Sequence, residues 1–453
     1  MRRTLRLGFV LAIALAPAAI ATASTEPPPL IIYSGAALID VETGKATPDM
    51  AILTRGERIE NIRAASDLSA LAGATRVDVR GLYVSPGLIN THEHLATPPN
   101  RPWAEAMMRR DLYGGITAVR DMADDLRNVA DLARASRIGE IPGPDIYFAA
   151  LMAGPAFFDD PRTHATTAGA TAGAVPWMQA ITEQTDIRQA VAEAKGTGAT
   201  AIKIYADLLP DLVAAITKEA HRQGMLVWAH AAVFPTSPAQ GLAAGVDSVS
   251  HVCMLAYQAS DAMPPAYHHR PPVDAAKFGS GDNPLVQSLF DTMHAKGTIL
   301  DATLLIYADM AKDHAADPKG PAPYCSDALA ERLANQAWRG GVLISTGTDG
   351  FSPQSDPWPA LQDELLLLQD KAGLPAADVL RAATLTGAMT MHRQGEMGSI
   401  APGKLANLVF TSQNPLMSME AFKSVVLTVK RGAAYWRKAY PPVTAAEMKG
   451  AEE

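Results

Sequence analysis

Residues 201–251, AIKIYADLLPDLVAAITKEAHRQGMLVWAHAAVFPTSPAQGLAAGVDSVSH, contain the pattern that decides the fold. Two short apolar runs, AIKIY and LVWAH, flank the stretch Leu209–Gly224, whose periodicity predicts a helix. A third run, Ser248–His251, follows after a second connection. Strands that alternate with helices usually pair in parallel, so this stretch predicts neighbouring parallel strands joined by crossover connections.

The same alternation extends from Ser85 to about Met391. Helices are also predicted over Asp186–Gly196 and Cys325–Trp338. The predicted strands are Gly87–His92, Ile116–Met122, Asp145–Leu151, Ala201–Tyr205, Leu226–His230, Ser248–His251, Ile299–Leu304 and Val342–Thr346. Eight such strands over about 300 residues predict an α/β fold, a (β/α)8 TIM barrel. A doubly wound open sheet is the alternative fold, but no G-x-G-x-x-G motif follows the first strand to support it.

Both ends of the chain have a sequence pattern that differs from the alternation of strands and helices in the middle. Residues 30–84 contain short strands broken by turns, and similar strands return in 406–411 and 424–431. We therefore expect a small β-sandwich built from both chain ends. The predicted domains are a first sandwich part (24–85), the barrel (86–391), a second sandwich part (392–440) and a tail (441–453).

The first residues have the pattern of a secretory signal peptide. Arg2, Arg3 and Arg6 precede the apolar run Leu7–Ile20, and Ala21-Thr22-Ala23 offers a cleavage site. The run has about 14 residues, against the roughly 20 that span a bilayer. We expect residues 1–23 to be removed and the mature protein to be exported, most plausibly to the periplasm, with no membrane association.

Composition excludes several classes of protein. The chain of 453 residues has a formal net charge of −8, which does not favour nucleic-acid binding. Its two cysteines cannot form a thiolate zinc cluster. Cys253 and Cys325 either form one disulfide or remain separate, with Cys253 packing as a small hydrophobe, the favoured alternative. The expected partner is a small molecule, and a homo-oligomer is compatible with the sequence.

Polar residues stand where several predicted barrel strands end. The carboxyl ends of barrel strands meet on one face, so these side chains are expected to converge there. The residues are His92, His94, Lys203, His230, His251 and Asp349. Imidazoles and a carboxylate are ligands for a divalent metal ion, with zinc the favoured ion.

Lys203 is the unusual member of this set, because an ammonium group cannot bind a metal. One alternative is a salt bridge between Lys203 and a neighbouring carboxylate. The other is reaction with carbon dioxide to give a carbamate, an anionic group that could bridge two metals. The residues alone leave both alternatives open.

Other candidates are less specific. Tyr205 lies two positions beyond Lys203 on the same strand face and could contact the substrate. Arg162 and His164 are further substrate-binding candidates in the long connection 152–177, and Arg162 is a cation suited to a carboxylate. Glu93 points away from its neighbours and is expected to form a salt bridge towards a helix. Long functional loops are predicted at 152–177, 254–284 and 307–324.

Several segments together resemble the amidohydrolase superfamily. They are PGLINTHEH (86–94), IKIYADL (202–208), AHRQGMLVWAHA (220–231), AGVDSVSH (244–251), GTD (347–349), ATLTGAMTM (383–391) and GSIAPGKLANLVF (398–410). The chain is most similar to the imidazolonepropionase-like group, which includes prolidase-type and other dipeptide or N-acyl amino acid hydrolases. The Gly-Gly-His of prolidase-type members is replaced here by GPAFFDDPRTH (154–164).

The resemblance implies a (β/α)8 barrel with a sandwich, and a centre of two divalent metals, with Zn²⁺ favoured. His92, His94 and Asp349 would hold one metal, and His230 and His251 the other. Lys203, N6-carboxylated, would bridge the pair.

The expected activity is hydrolysis of an amide C–N bond, in a dipeptide or N-acyl amino acid, by an exported binuclear metal-dependent amidohydrolase. A metal-bridging hydroxide would attack the carbonyl, with Asp349 as general base and acid. One alternative is hydrolysis of a cyclic amide, lactone, ester or carbamate at the same site. A second is a non-catalytic metal-binding protein. Deaminases of the superfamily carry a Glu three residues after the histidine of strand five, whereas His230 is followed by AAVFP.

Overall fold

The computed structural model describes residues 28–68, 73–279 and 281–449. The predicted signal peptide, residues 1–23, lies outside these ranges, as do residues 450–453 of the predicted tail. Within them, no helix combines the length and the apolar character needed to cross a bilayer.

The described residues of the N-terminal segment form five strands. They are β1 (Leu30–Asp40), β2 (Lys45–Arg55), β3 (Arg58–Ala64), β4 (Thr75–Asp78) and β5 (Tyr83–Pro86). Strands β1, β2 and β3 form an antiparallel meander. Strand β1 pairs in parallel with β4 through its first half and with β5 through its second half. Register shifts at Ser34/Ala36 and Ala36/Leu38 in the β1–β2 pairing mark the bulges between the two halves of β1.

Ten strands form the middle of the chain. They are β6 (Leu88–Glu93), β7 (Ile116–Asp121), β8 (Asp145–Ala153), β9 (Ala174–Val175), β10 (Met178–Ala180), β11 (Ala201–Ile204), β12 (Leu226–His230), β13 (Ser248–Ser250), β14 (Ile299–Asp301) and β15 (Ile344–Ser345). All except β9 and β10 follow one another in parallel around the barrel. The Thr91 N–H donates to the Thr346 carbonyl at 2.8 Å, which connects the last strand to the first. The predicted eight-stranded barrel is confirmed.

The described part of the chain also contains the helices that connect the barrel strands and that follow the last of them. They are α1 (Arg101–Tyr113), α2 (Leu126–Arg137), α3 (Pro161–Ala165), α4 (Ile187–Gly196), α5 (Pro210–Arg222), α6 (Pro238–Ala244), α7 (Pro284–Lys296), α8 (Leu304–Ala316), α9 (Asp327–Arg339), α10 (Leu361–Leu366), α11 (Ala376–Arg381) and α12 (Gly387–Met389). Helix α5 buries Val213, Ile216 and Ala220. This spacing of three and four residues is the apolar stripe that the sequence predicted.

The C-terminal segment returns to the first sheet. Its strands are β16 (Leu408–Thr411), β17 (Val425–Lys430) and β18 (Ala433–Trp436). Strand β16 pairs with β5, so both chain ends contribute to one mixed sheet, as predicted. Buried Asp145 at the start of β8 pairs with Lys430 at 3.1 Å and Arg431 at 2.7 Å, which connects this sheet to the barrel.

One predicted loop was wrong. Helix α8 occupies much of 307–324, and the strand predicted to reach Leu304 ends at Asp301. The buried carboxylate of Glu364 accepts hydrogen bonds from the Leu304 and Leu305 N–H groups at 3.1 and 2.7 Å. An acceptor at a helix N-terminus stabilises its first turn. This acceptor lies 60 residues away from Leu304 along the chain, so local sequence did not reveal it.

The two cysteines are joined. Cys253 and Cys325 form a disulfide with a Cα–Cα distance of 6.3 Å. The favoured expectation of a separately packed Cys253 was therefore wrong. The bridge connects the 3₁₀ helix Val252–Ala259, which follows β13, to the start of α9.

Candidate active site

The predicted ligand residues meet at the carboxyl ends of the barrel strands. Five of them line one cavity of about 160 Å³. They are His92, His94, His230, His251 and Asp349. Lys203, in β11, is completely buried, with its Nζ 5.9 Å from the centroid of the Tyr205 ring. The carboxyl ends of the barrel strands thus bring together residues that are spread over most of the barrel sequence.

Three side chains form the tightest group. Asp349 Oδ1 lies 3.6 Å from His92 Nε2 and 3.5 Å from His94 Nε2. One ligand atom from each of the three residues lies within 4.8 Å of the others. Two imidazole nitrogens and a carboxylate oxygen at this spacing fit a single divalent cation.

A second group lies beside the first. The His251 ring centroid is 4.9 Å from that of His92 and 4.8 Å from that of His230. Asp349 Oδ2 lies 3.9 Å from His251 Nε2, so the two carboxylate oxygens face different histidines. His251 and Asp349 both have positive φ angles, 73° and 50°. Such strained backbone conformations concentrate at functional sites.

Hydrogen bonds fix three of the four imidazoles. His92 Nδ1 contacts Asp301 Oδ2 at 2.9 Å, and His94 Nδ1 contacts Asp124 Oδ1 at 2.8 Å. His251 Nδ1 contacts Thr303 Oγ1 at 2.9 Å. Each contact leaves the Nε2 atom available for a cation.

These three hydrogen-bond partners were not predicted from the sequence. Asp301 is the last residue of β14, and Asp124 and Thr303 lie within three residues of a barrel strand end. Their signal in the sequence is the same as that of the histidines, a polar residue at or just after the end of a barrel strand.

Burial controls the charge of the imidazoles. It lowers the pKa of His92, His230 and His251, and the neighbouring cations and imidazoles lower it further. Burial opposes charge on His94 too, but Asp124 and Asp349 outweigh it and raise its pKa. Neutral imidazole is the form that binds a metal.

Lys203 has no carboxylate partner among the described residues. Its Nζ is buried without a hydrogen bond there, so the salt bridge considered for it is not formed. Burial and the nearby Arg120 guanidinium lower the pKa of Lys203 to about 7. A buried, partnerless amine of this kind is available for chemical modification.

Aromatic side chains form one wall of the cavity. The Tyr205 ring centroid lies 3.9 Å from that of His230 and 4.4 Å from that of Phe157. Tyr267, which the sequence analysis did not select, packs 5.5 Å from Tyr205. Tyr205 thus packs against both His230 and Phe157 in the lining of the cavity.

The other sequence candidates lie in different places. Arg162 lines the cavity, whereas His164 is exposed on α3 and outside its lining. Glu93 is buried, accepts a hydrogen bond from Asn90 Nδ2 at 2.7 Å and contacts no described cation. The expected salt bridge of Glu93 was wrong, because its side chain faces the buried carboxylates of Asp111 and Asp121.

A (β/α)8 barrel with four histidines and an aspartate at the carboxyl ends of its strands is typical of one class of protein, the metal-dependent hydrolases built on this barrel. The Amidohydrolase family model matches residues 83–434. The chain belongs to this family, and the protein is a metal-dependent amidohydrolase.

Solved structures show the same fold. A Xaa-Pro dipeptidase with bound methionine aligns with a TM-score of 0.71 at 21% identity, covering 90% of this chain and 100% of that one. A. niger ochratoxinase aligns with a TM-score of 0.70 at 20% identity, covering 91% and 96%. A putative prolidase from Bifidobacterium longum gives 0.67 at 24% identity, covering 93% and 98%.

A curated relative matches only in part. The 5'-deoxyadenosine deaminase of Methanothermobacter thermautotrophicus (strain ATCC 29096 / DSM 1053 / JCM 10044 / NBRC 100330 / Delta H) is 41% identical over 75 residues. The match spans 15% of this chain and 17% of that protein.

Proposed function

We propose that this protein is an exported binuclear metal-dependent hydrolase of an amide bond in a dipeptide or an N-acyl amino acid. The observation that carries the proposal is the convergence of His92, His94 and Asp349 within 4.8 Å, beside His230 and His251, in one cavity. A non-catalytic metal-binding protein would not need such a site to open into a cavity.

The donor set fits two cations. His92, His94 and Asp349 would hold one, and His230 and His251 the other. The buried Nδ1 of His230 and Nζ of Lys203 have no hydrogen-bond partner among the described residues. Such a centre would satisfy these polar atoms. When bound, two divalent ions lower the pKa of water and polarise a carbonyl group, with Zn²⁺ the favoured ion.

Lys203 would bridge the two cations as a carbamate. Its unprotonated Nζ would form a bond to the carbon of carbon dioxide as one carbon–oxygen π bond breaks, and one proton would pass from the nitrogen to solvent water. The product would carry one negative charge shared by two oxygens, in place of a buried amine without a partner among the described residues. Four neutral imidazoles and one carboxylate leave most of the charge of two divalent cations uncompensated, and the carbamate would offset part of it.

Asp349 would move the proton. The Asp349 carboxylate can accept a proton on either oxygen and release it again. Its two oxygens face different histidines, which holds the carboxylate between the two groups of ligands. It would accept a proton from the attacking water and deliver it to the leaving nitrogen, so that the amine departs neutral.

The amide substrate class is supported by the similar structures, which include a Xaa-Pro dipeptidase and a putative prolidase. Hydrolysis of a cyclic amide, lactone, ester or carbamate uses the same attack on a carbonyl and is the alternative. Deamination is disfavoured, because no Glu stands three residues after His230.

The test measures metal content and hydrolysis together. Purified protein loaded with zinc in bicarbonate buffer is expected to hold about two equivalents. It should hydrolyse dipeptides or N-acyl amino acids in a panel that also contains lactones and carbamates, and a chelator should abolish this. Two bound metals without hydrolysis of any panel member would contradict the proposed activity.

Asp349→Asn should keep the fold and lower kcat by about a thousandfold or more, since the amide cannot accept the proton. Steady-state kinetics and circular dichroism measure the two effects. Asp211→Asn, an exposed change on α5, is the control and should leave kcat unchanged. Near-native turnover of Asp349→Asn would remove Asp349 from this role.

A further inference from the structure

We propose that Arg162 binds a free carboxylate of the substrate, so that the enzyme selects acidic substrates over the corresponding amides. The inference rests on the proposed function and adds to it the residue that recognises one end of the substrate. Arg162 lines the same cavity as the metal-ligand residues.

The local structure presents the guanidinium group in a defined orientation. Asp160 is the N-cap of α3 and accepts the backbone N–H of Arg162 at 3.0 Å. The same carboxylate binds Arg162 Nε at 3.0 Å and Nη2 at 2.7 Å. Asp160 is 6% exposed, so it holds the arginine from the protein side.

The remaining nitrogen of Arg162 is available to a ligand. Within the described ranges, no hydrogen-bond partner contacts Nη1. The side chain is 55% exposed and lines the same cavity as His92, His94 and Asp349. A guanidinium fixed on one edge and free on the other suits a carboxylate approaching through the cavity.

The lining of the cavity contains both charged and apolar side chains. Among its described lining residues, Arg162 is the only lysine or arginine, and Asp349 is the only carboxylate. Apolar side chains from Leu151, Phe157 and Met178 lie in the same lining. A ligand with a carbonyl group at the histidines and a carboxylate at Arg162 would place its apolar part against these walls.

Water screens a charge pair less in such a cavity than on an open surface. A hydrogen bond to a charged group is typically worth enough to change binding about 10- to 100-fold. An uncharged amide would leave the Nη1 group to water and lose this contribution. The ratio of the affinities for the acid and the amide therefore measures the contribution of this contact to binding.

The experiment compares N-acetyl-L-leucine with N-acetyl-L-leucinamide. Calorimetry on the zinc-loaded protein measures binding, and steady-state kinetics measure hydrolysis. The wild type should bind the acid about 10- to 100-fold more tightly than the amide. Arg162→Met should bind both ligands equally. Arg162→Lys should retain part of the preference for the acid, because lysine keeps the positive charge but lacks the planar set of N–H donors of a guanidinium group.

Arg127 provides a matched control. It is held by its own N-cap, Asp125, through Nε at 2.9 Å and Nη2 at 2.7 Å, and it binds the Ala168 carbonyl just beyond α3. It does not line the cavity. Arg127→Met disturbs the connection 152–177 without removing the proposed contact of Arg162. The preference of this variant for the acid over the amide should therefore equal that of the wild type.

The outcomes separate this inference from the proposed function. Equal binding of acid and amide by the wild type would overturn the role of Arg162. So would a preference that survives in Arg162→Met, which would place the carboxylate on the metal instead. Selective binding through Arg162 without hydrolysis of either compound, or of the wider panel, would leave the inference standing and contradict the proposed activity.

Discussion

At the scale of single residues, the site depends on side chains that hold the histidines in place. Asp124 accepts the Ala96 N–H at 2.6 Å with one oxygen and contacts His94 Nδ1 at 2.8 Å with the other. A carboxylate can only accept a hydrogen bond, so it places the imidazole proton on Nδ1. The Nε2 lone pair then points towards Asp349 and the proposed cation.

Asp124→Asn should weaken metal binding about 10- to 100-fold with little loss of fold. The asparagine amide can donate to His94 Nδ1, which favours the tautomer with its proton on Nε2 and blocks that ligand atom. Competition with a chelator measures the zinc affinity, and circular dichroism measures the fold.

Asp247→Asn is the matched control for this change. It alters another histidine–aspartate pair, His221 Nε2 to Asp247 at 2.9 Å, outside the cavity. Its zinc affinity should remain that of the wild type. An unchanged affinity in Asp124→Asn would show that His94 does not depend on this partner.

At the scale of elements, the packing of α1 against β6 and β7 buries three carboxyl groups. Glu93, Asp111 and Asp121 are each at most 5% exposed, and each has one oxygen without a hydrogen-bond partner in the described structure. Burial raises the pKa of Asp111 to about 7, although Arg110 opposes the shift. Ionising this group in the folded protein therefore costs stability.

Asp111→Asn should stabilise the protein at high pH. The pKa of Asp111 is about 7 when folded, against its ordinary value of 3.8, so the folded state binds the proton more tightly. Stability from this group is present below about pH 4 and is lost as pH rises through about 7. The variant removes this loss, and the two pKa values predict a gain of about 4 kcal/mol at pH 8.

Urea unfolding at several pH values measures this difference between variant and wild type. The gain should vanish near pH 3, where the carboxyl is protonated in both the folded and the unfolded state. Asp211→Asn, an exposed change on α5, should show no gain at any pH. A gain independent of pH would mean that packing, not ionisation, explains the effect.

At the scale of the whole molecule, one covalent bond connects distant parts of the barrel. The Cys253–Cys325 disulfide closes a loop with a sequence separation of 72 residues. Closing such a loop stabilises a protein by about 4 kcal/mol in the chain-entropy description. A disulfide of this kind persists in oxidising compartments, which supports the proposed export.

Expression with and without residues 1–23 tests export and the disulfide together. Protein made with the leader should be recovered from the periplasm, begin at Ser24 and contain no free thiol. Leaderless protein from the cytoplasm should contain reduced thiols and unfold about 5 °C lower. N-terminal sequencing, thiol titration and thermal unfolding measure these properties.

The variant Cys253→Ser/Cys325→Ser is the control for this comparison. It should unfold at the same temperature whichever route produces it. Export would be contradicted if the full chain stayed in the cytoplasm with its leader intact. The stabilising role would be contradicted if oxidised and reduced protein unfolded at the same temperature.

The sequence predicted the barrel because its strands and helices are encoded locally. The segment Leu226–His230 was predicted with the same bounds as β12, and Asp186–Gly196 differs from α4 by one residue. The prediction from the sequence was less accurate for α8, because the start of this helix depends on Glu364, which is distant along the chain.

The sequence by itself determined the parallel barrel, the contribution of both chain ends to one sheet, and the candidate ligands at the strand ends. The tertiary structure decided that Lys203 has no carboxylate partner among the described residues, that Arg162 and not His164 reaches the cavity, and that Cys253 and Cys325 pair. The physical reason is that side-chain periodicity acts over a few residues, whereas pairing, burial and charge depend on groups that only folding brings together.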